Sequence, residues 1–303
     1  MHTFQTLFIT GATSPIGQFL CAQLLAQKKY QLIALTRDRS RVPAALLQSD
    51  ITWLEADLTQ PTQCAALVMP PIEAVIHIPP IWTLPALLPF YQQRGMKRLI
   101  CFSSTSRFTK VNSHTVHEQH VVEGLTRGET ETEQFCQQHH IAWTIFRPTL
   151  IYGTTNDKNL SMIVRVIRRF GFFPLAGQAS GKRQPVHAED LAHACVQALA
   201  EPNSYQRAYN LSGGTTVTYR EMVRLLFAAC AQPARLITIP TFLLKKIIQT
   251  VKLLPRFRYL STEMIDRMNQ DLYFAHTEAA QDFGYAPRPL TVETLQQIYQ
   301  VKS

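Results

Sequence analysis

The sequence predicts an α/β protein with a doubly wound parallel sheet and a smaller C-terminal lobe of mixed structure. Short, continuously apolar segments alternate with helix-like stretches through the first 150 residues. A glycine-containing turn joins the first apolar segment to the first helix, and the regular alternation ends after about residue 152. Strands that are apolar throughout are typical of a parallel sheet with helices on both faces.

Six strands are predicted in the first half, at residues 6–10, 31–36, 52–55, 74–78, 99–102 and 142–146. Helices are predicted at residues 15–27, 129–139, 161–170, 190–201 and 219–231, with a further short strand at 208–211. We therefore predict a dinucleotide-binding domain over residues 1–152, to which residues 184–212 return. The remaining residues, 153–183 and 213–303, form the predicted substrate lobe.

Composition excludes several classes of protein. With 46% hydrophobic and 17% charged residues, the chain is not typical of a disordered protein. No apolar run approaches the roughly 18 residues of a membrane span, and the N-terminus lacks the pattern of a signal peptide, so a cytoplasmic protein is expected. The net charge is +9, and residues 151–303 contain 18 basic against 11 acidic residues. This excess indicates an anionic ligand or surface, although no nucleic-acid-binding motif is present.

The six cysteines lie mostly in apolar segments and show no C-x-x-C or zinc-finger spacing. We expect buried, reduced thiols. No metal site is predicted.

Residues 10–17, T-G-A-T-S-P-I-G, connect the first strand to the first helix. Glycines there permit a tight turn and close packing of the helix, whose N-terminus suits a pyrophosphate. A serine followed by proline also favours a capped helix start, which would weaken the phosphate contact. The predicted cofactor-binding residues of this loop are Gly11, Thr13, Ser14, Pro15, Ile16 and Gly17.

The end of the second strand bears on which dinucleotide binds. NAD-selective proteins place an acidic residue there for the ribose 2′-hydroxyl, but this position is Thr36. Arg37 and Arg41 follow, and their guanidinium groups suit a 2′-phosphate. We predict NADP as the cofactor, with NAD less favoured. The alternative is that these arginines only solvate a turn.

Further motifs extend along the chain: A-D-L at 56–58, S-S-T at 103–105, F-R-P-T-L-I-Y-G at 146–153, Q-P-V-H-A-E-D at 184–190 and N-L-S-G-G at 210–214. Together with the loop at 10–17, they resemble the extended and atypical branches of the short-chain dehydrogenase/reductase superfamily. The order is similar to that of nucleoside-diphosphate-sugar epimerases and dehydratases, and to the 39-kDa accessory subunit of respiratory complex I. The resemblance implies a Rossmann domain.

The resemblance also implies further contacts. For the cofactor these are Asp57, Leu58, Ile78, Pro79, Pro80, Ser103 and Pro148. For an anionic substrate they are Asn156, Asp157, Asn159, Arg183, Gln184 and His187. Two alternatives stay open, because Asp57 also suits a turn and His187 also suits loop packing.

The family's Tyr-x-x-x-Lys dyad is absent. Counted back from F-R-P, its positions fall at Leu125 and Glu129, and no tyrosine lies between Tyr91 and Tyr152. The remaining candidates for catalysis are Thr105, its neighbour Ser104, and Lys110 as a replacement acid. The two hydroxyls also suit the capping of a turn. His114, His117 and His120 fit a solvated segment better than a proton relay or a metal site.

Two functions follow from these features. The first is an NADP(H)-binding oxidoreductase or epimerase-like enzyme that acts on a nucleotide-linked sugar or a similar anionic metabolite. The second is a redox-inactive dinucleotide-binding sensor or assembly protein, which the missing dyad favours. An RNA-associated protein, suggested by charge alone, is a third and weaker hypothesis.

Residues 242–254, FLLKKIIQTVKLL, predict a basic amphipathic helix. Helical spacing places Leu243, Ile247, Val251 and Leu254 on its apolar face, with Leu244 and Ile248 beside them. It places Lys245, Gln249 and Lys252 on the opposite face. This pattern fits a helix packed on the core, and it also fits peripheral contact with an anionic membrane.

Overall fold

A computed structural model of the chain describes residues 5–111, 113, 115–155, 157, 159–251 and 262–299. The strands are β1 Thr6–Thr10, β2 Gln31–Thr36, β3 Ile51–Glu55, β4 Ala74–His77, β5 Arg98–Phe102, β6 Ala142–Pro148, β7 Ile151–Tyr152, β8 Phe173–Ala176, β9 Lys182–Arg183, β10 Val186–His187, β11 Arg207–Leu211, β12 Val217–Thr218 and β13 Leu236–Ile239. The helices are α1 Pro15–Gln27, α2 Ala44–Leu47, α3 Pro61–Ala65, α4 Leu88–Gln93, α5 Ser106–Thr109, α6 Val116–Gln138, α7 Leu160–Phe170, α8 Ala188–Leu199, α9 Tyr219–Ala229, α10 Thr241–Val251, α11 Thr262–Arg267, α12 Thr277–Phe283 and α13 Val292–Tyr299.

Seven strands form one parallel sheet in the order β3-β2-β1-β4-β5-β6-β11. The order reverses between β1 and β4, so the carboxyl ends of these strands flank the point where doubly wound folds bind their ligands. The predicted fold class is therefore confirmed. The predicted strands agree with the observed ones to within one or two residues, but α6 begins at Val116 and is much longer than expected.

The chain divides into two compact units. The first comprises Met1–Pro148, Ala188–Leu211 and Ala275–Ala286, and the second comprises Thr149–His187, Ser212–Phe274 and Pro287–Ser303. Residues 275–286 thus lie in the first unit, although the sequence pattern had placed them in the substrate lobe. The core of the first unit is built from the strands and the helices that cover them, with side chains such as Phe8, Val75 and Ile145 fully or almost fully buried.

Arg98, at the start of β5, is the largest fully buried side chain of the first unit. Its guanidinium donates to the main-chain oxygens of Ala198 and Leu199, at the end of α8, over 2.9 and 3.3 Å. It also donates to the hydroxyls of Thr144 and Ser204 over 2.7 and 3.1 Å. Burial lowers the pKa of Arg98 to about 10. The arginine therefore ties two strands to the C-terminus of α8, where a cation is favoured by the exposed carbonyls.

The second unit combines short sheets with helices. β8 pairs with β13, β7 with β10, and β9 with β12. Its core lies around α7, α9 and α13, where Ile167, Leu226 and Leu295 are fully buried. The thiols of this chain are free, and five of the six are buried.

The orientation of α10 differs from the prediction. Leu244 is the side chain that enters the core, and Ile248 is half-buried, whereas Leu243 and Ile247 are exposed. Lys245 is drawn toward the same side by an ion pair with Asp266 of α11, at 2.6 Å. The predicted apolar face was therefore wrong by roughly a quarter turn, because apolar residues occur on most sides of this helix. Residues 252–254, including Lys252, lie outside the described residues. Nowhere in the described ranges is there a helix with the length and hydropathy of a membrane span.

Candidate functional site

The loop between β1 and α1 requires glycine at two positions. Gly11 has a φ of +73°, and a Cβ atom there would lie 3.0 Å from Cδ of Pro79 and 3.1 Å from Cβ of Ile78. A Cβ atom at Gly17 would lie 2.3 Å from the Gly11 carbonyl oxygen. The contact at Gly17 leaves no room for a side chain, and the positive φ and close contacts at Gly11 favour glycine there, so α1 packs directly on the turn. This close approach leaves a cradle of main-chain atoms of the kind that holds a dinucleotide pyrophosphate.

Ser14 caps the helix that begins in this loop. Its backbone is extended, and its hydroxyl accepts a hydrogen bond of 3.1 Å from the Gly17 amide, while Pro15 occupies the first helical position. The Gln18 side chain donates to the Thr13 carbonyl over 2.9 Å. The loop is thus held in one conformation by its own residues. The cofactor contacts of Gly11, Thr13, Ser14, Pro15, Ile16 and Gly17 remain predictions, and the cradle fits them.

His77, at the end of β4, is fully buried beside this loop, and no sequence pattern indicates its role. Its Nδ1 is 2.9 Å from the Thr10 hydroxyl and its Nε2 is 3.0 Å from the Thr83 hydroxyl. Because Thr83 donates its own hydrogen to the Pro80 carbonyl over 2.9 Å, Nε2 must carry the imidazole proton. Burial lowers the pKa of His77 to about 3, so the ring is neutral. It links β1 to the segment Ile78–Pro80, where cofactor contacts are predicted.

The end of β2 exposes Arg37. The carboxylate of Asp38 accepts hydrogen bonds of 2.9 and 2.6 Å from the amide and hydroxyl of Ser40, which together lower its pKa. Asp57 makes the equivalent turn with Thr59, and bonds from Thr59, with a smaller effect of Arg37, lower its pKa. Both acids thus stabilise turns. Leu58 packs partly against the core, and Arg41 is exposed in the turn at Arg39–Arg41.

Three residues with side-chain hydroxyls follow β5, and their hydroxyls differ in the hydrogen bonds that they make. Ser103 donates to Oε1 of Glu129 over 2.5 Å, and Thr105 donates to the Pro148 carbonyl over 3.1 Å. Ser104 instead accepts a 3.1 Å bond from the Ser106 amide and is half-buried. Of these three hydroxyls, only that of Ser104 donates its hydrogen to no acceptor in the described part of the chain. Thr105, the first choice from the sequence, has its hydrogen engaged by the backbone.

Glu129, the residue that the sequence predicts at the lysine position of the dyad, has a fully buried carboxylate. It accepts from Ser103, from Nη1 of Arg107, and from Arg147, whose Nε lies 3.1 and 3.0 Å from the two oxygens and whose Nη2 lies 2.5 Å from Oε2. Both arginines retain some exposure, at 25% and 16% of their side chains. The carboxylate is therefore saturated by donors rather than available to move a proton.

The other residues near the missing dyad are also engaged. Leu125, at the tyrosine position, is buried in the apolar core of the first unit. Lys110 forms an ion pair with Glu118 of α6, its Nζ 3.0 Å from Oε1, and both side chains are largely buried. His117 and His120 line a groove of about 420 Å³ on α6, next to Trp82. His114 lies outside the described residues.

In the second unit, the predicted substrate residues have structural partners. Arg183 is buried and donates to the carbonyls of Lys182 and Gln270 over 2.7 and 2.8 Å, and to that of Arg267. The Gln184 side chain accepts from the Phe274 amide over 2.7 Å. His187 is buried with its ring edge-on to Tyr152, the centroids 5.1 Å apart. The guanidinium of Arg183 therefore stabilises turns of the second unit, and a role toward a diphosphate has no support here.

Asp157 caps α7. One carboxylate oxygen accepts from the amides of Asn159 and Ser161, at 2.9 and 3.1 Å, and the other accepts from the hydroxyls of Ser161 and Tyr299. The Asn159 side chain contacts the Ile151 carbonyl at 3.4 Å. These contacts favour a structural role. Asn156 lies outside the described residues.

The geometry of the loop between β1 and α1 agrees with the comparison to known families. A family model described as NAD(P)H-binding matches residues 11–202. The chain belongs to this NAD(P)H-binding family. The NAD(P)H azoreductase of Xenophilus azovorans is 25% identical over 240 residues, which cover 77% of this chain and 77% of that protein.

Solved structures show the same fold. UDP-glucuronic acid 4-epimerase from Bacillus cereus, in complex with UDP-glucuronic acid and NAD, has a TM-score of 0.74 at 15% identity, covering 97% of this chain and 98% of that chain. Triphenylmethane reductase from Citrobacter sp., in complex with NADP(H), has a TM-score of 0.70 at 18% identity, covering 96% and 99%. The resemblance to NAD(P)-dependent epimerases and reductases is therefore confirmed.

Proposed function

We propose that this member of the NAD(P)H-binding family is a reductase that delivers a hydride from NADPH to a conjugated acceptor. The observation that carries the proposal is the replacement of the dyad by Leu125 and a donor-saturated Glu129. The similar proteins include a reductase named for azo compounds and one named for triphenylmethanes. This activity is narrower than the NAD(P)-dependent oxidoreductase function that the family supports.

The missing dyad limits which reactions are feasible. A sugar hydroxyl loses its proton only when a base accepts it, and reduction of a simple ketone leaves an alkoxide that needs an acid. Leu125 is a hydrocarbon, and every oxygen of Glu129 already accepts from a guanidinium. Epimerisation of a nucleotide-linked sugar, one of the activities included in the sequence prediction, is therefore poorly served by these residues.

A conjugated acceptor removes this requirement. When bound, the reduced nicotinamide supplies the hydride, and water can supply the proton because the acceptor delocalises the incoming electron pair. Ser104 is placed to donate a hydrogen bond at the carboxyl edge of the sheet. Arg107 and Arg147 keep part of their guanidinium groups exposed at this edge, beside the acids Glu129 and Glu133, and hydrogen bonds from them would favour an acceptor that gains electron density.

The proposed cofactor is NADP(H), held through the main-chain cradle at Gly11 and Gly17. Arg37 is the proposed partner of the 2′-phosphate, since it is exposed at the end of β2 and an arginine pairs well with phosphate. Asp38, the next residue in the sequence, is engaged by Ser40, and Asp57, whose pKa Arg37 lowers slightly, is engaged by Thr59. Arg41 and Asp57 are proposed to contact the adenosine end of the cofactor.

The function is tested with the purified full chain, NADPH or NADH, and a panel of acceptors. The panel contains an azo dye, a triphenylmethane dye, a quinone, and UDP-glucose with NAD as the epimerase substrate. We expect NADPH oxidation with at least one conjugated acceptor and no epimerised sugar. Epimerisation, or turnover of the sugar alone, would contradict the proposal. Tight NADPH binding without turnover of any acceptor would favour the sensor or assembly function instead.

A further inference from the structure

α10 exposes large apolar side chains that the fold does not cover. Phe242 is 68% exposed, Leu243 43% and Ile247 42%. At about 100° per residue, these three positions and the exposed Lys246 fall within an arc of about 140°. We name these four residues the α10 surface.

The opposite side of the helix is anchored, so this exposure is not the result of a loosely attached segment. Leu244 is buried in the core of the second unit, and Lys245 pairs with Asp266 at 2.6 Å. The α10 surface must therefore face outward from that unit. A helix that packs through one side and presents apolar groups on the other has the shape of an interaction surface.

Other exposed apolar side chains belong to the same unit. Ile237 on β13 is 46% exposed, and Phe170 and Phe172 lie just before β8, the strand that pairs with β13. Thirteen large hydrophobic side chains are exposed among the described residues. Six of them are these three together with Phe242, Leu243 and Ile247 of α10. Nearly half of the exposed large hydrophobic side chains thus lie in two short segments, residues 170–172 and 237–247, which adjoin or include the paired strands β8 and β13.

Charge identifies the partner. The exposed apolar residues lie within two runs, 158–188 and 222–262, that contain no Asp or Glu. In the described part of these runs, seven basic residues are exposed: Arg165, Arg168, Arg169, Lys182, Arg224, Arg235 and Lys246. The partner must therefore be both anionic and able to accept aliphatic groups. A second copy of this surface would oppose like charges, and nucleic acid offers no apolar layer for Leu243 and Ile247.

We infer that the α10 surface docks on an anionic lipid membrane, with Phe242, Leu243 and Ile247 entering the headgroup boundary and Lys246 near lipid phosphates. The helix has 11 residues and a length of roughly 16 Å, so it lies along the membrane and does not cross it. This inference does not depend on the proposed reductase activity.

The experiment is co-sedimentation of the full chain with phosphatidylcholine vesicles, with or without phosphatidylserine, at low and high salt. Wild type should bind the anionic vesicles and lose most of that binding at high salt. The double variant Phe242→Ser/Ile247→Ser should bind about tenfold or more weakly. The matched control Leu47→Ser/Val68→Ser removes two exposed apolar side chains of the first unit and should bind as wild type does. Lys246→Glu should weaken binding, and Lys29→Glu should not.

Equal binding of wild type to neutral and anionic vesicles, or undiminished binding by the Phe242→Ser/Ile247→Ser variant, would overturn the inference. The inference would also be overturned if polyuridylate displaced wild type from the vesicles and bound wild type and the double variant with equal affinity. If the double variant unfolds, Phe242→Trp provides a second test. Its added fluorescence should be quenched by lipids brominated in the acyl chain, whereas that of Val68→Trp should not, and the absence of this difference would overturn the inference.

Discussion

The two sides of the carboxyl edge of the large sheet have diverged to different extents. On the side of β1, β2 and β4, the glycines, the serine cap and the buried His77 hold the turn at which dinucleotide binding is predicted. On the side of β5, β6 and α6, the two positions that the sequence predicts for a proton-moving dyad hold the buried Leu125 and an ion cluster around Glu129. Cofactor binding and acid–base chemistry are therefore separable properties of this fold, since one is built from backbone geometry and the other from a few side chains.

The largest effect is expected from Glu129→Gln, which removes the carboxylate that is ion-paired with both Arg107 and Arg147. Removal of one partner from a buried ion pair costs about 3–5 kcal/mol of unfolding free energy. The measurement is urea unfolding of the full chain. Glu131→Gln, on the same helix, removes an exposed carboxylate 3.9 Å from Arg127 and should cost less than about 0.5 kcal/mol. Equal losses in the two variants would show that the cluster does not stabilise this side of the sheet.

The second effect is on the pH dependence of the unfolding free energy, and it concerns His77, on the side of β1, β2 and β4. The pKa of His77 is about 3 in the folded protein, against an ordinary value of 6.5. Its contribution to stability is complete above pH 6.5 and declines as the pH falls toward 3, because only the unfolded chain binds that proton. Between pH 6.5 and 5, the loss should be about 2 kcal/mol, at ~1.36 kcal/mol per pH unit.

The variant His77→Gln should have a lower unfolding free energy at pH 7. Between pH 6.5 and 5, however, its unfolding free energy should not show the loss that His77 causes in wild type. His193→Gln, at an exposed position of α8, should retain the wild-type contribution of His77. Identical slopes for wild type and His77→Gln would mean that His77 is protonated in the fold.

The third effect distinguishes the two dinucleotides. Arg37→Ala should weaken NADPH binding about tenfold, or ~1.4 kcal/mol, and leave NADH binding unchanged, because only NADPH carries the 2′-phosphate. Calorimetric titration of each cofactor measures this difference, with Lys29→Ala as the control for loss of an exposed cation. Equal affinity of wild type for NADPH and NADH would remove Arg37 from the cofactor site.

The smallest effect compares two adjacent hydroxyls on the side of β5. Ser104→Ala should lower kcat/KM about fivefold, or ~1 kcal/mol, with cofactor affinity unchanged, since one hydrogen bond to the acceptor is lost. Thr105→Val should mainly lower the unfolding free energy, because it removes the buried bond to Pro148. If Thr105→Val lowered kcat/KM and Ser104→Ala did not, Thr105 and not Ser104 would be the substrate contact.

The sequence predicted the large sheet well, because its strands are continuous apolar runs bounded by turns. It did not predict the first half of α6, which is rich in His and Glu and lacks a regular apolar period. Nor did it reveal the partners of Glu129, since Ser103 and Arg147 are 26 and 18 residues away and no local pattern connects them. The orientation of α10 was missed for the opposite reason, because several of its faces are apolar.

The buried Arg98 has a consequence for the order in which the protein becomes native during synthesis. Its partners Ala198, Leu199 and Ser204 are 100, 101 and 106 residues further along the chain. Until they leave the ribosome, the Arg98 guanidinium lacks three of the six acceptors that it has in the native fold, and β5 lacks the contacts that hold it to the end of α8. A nascent chain that ends at residue 148 should therefore remain sensitive to protease, and protection should develop only after residue 204 has emerged.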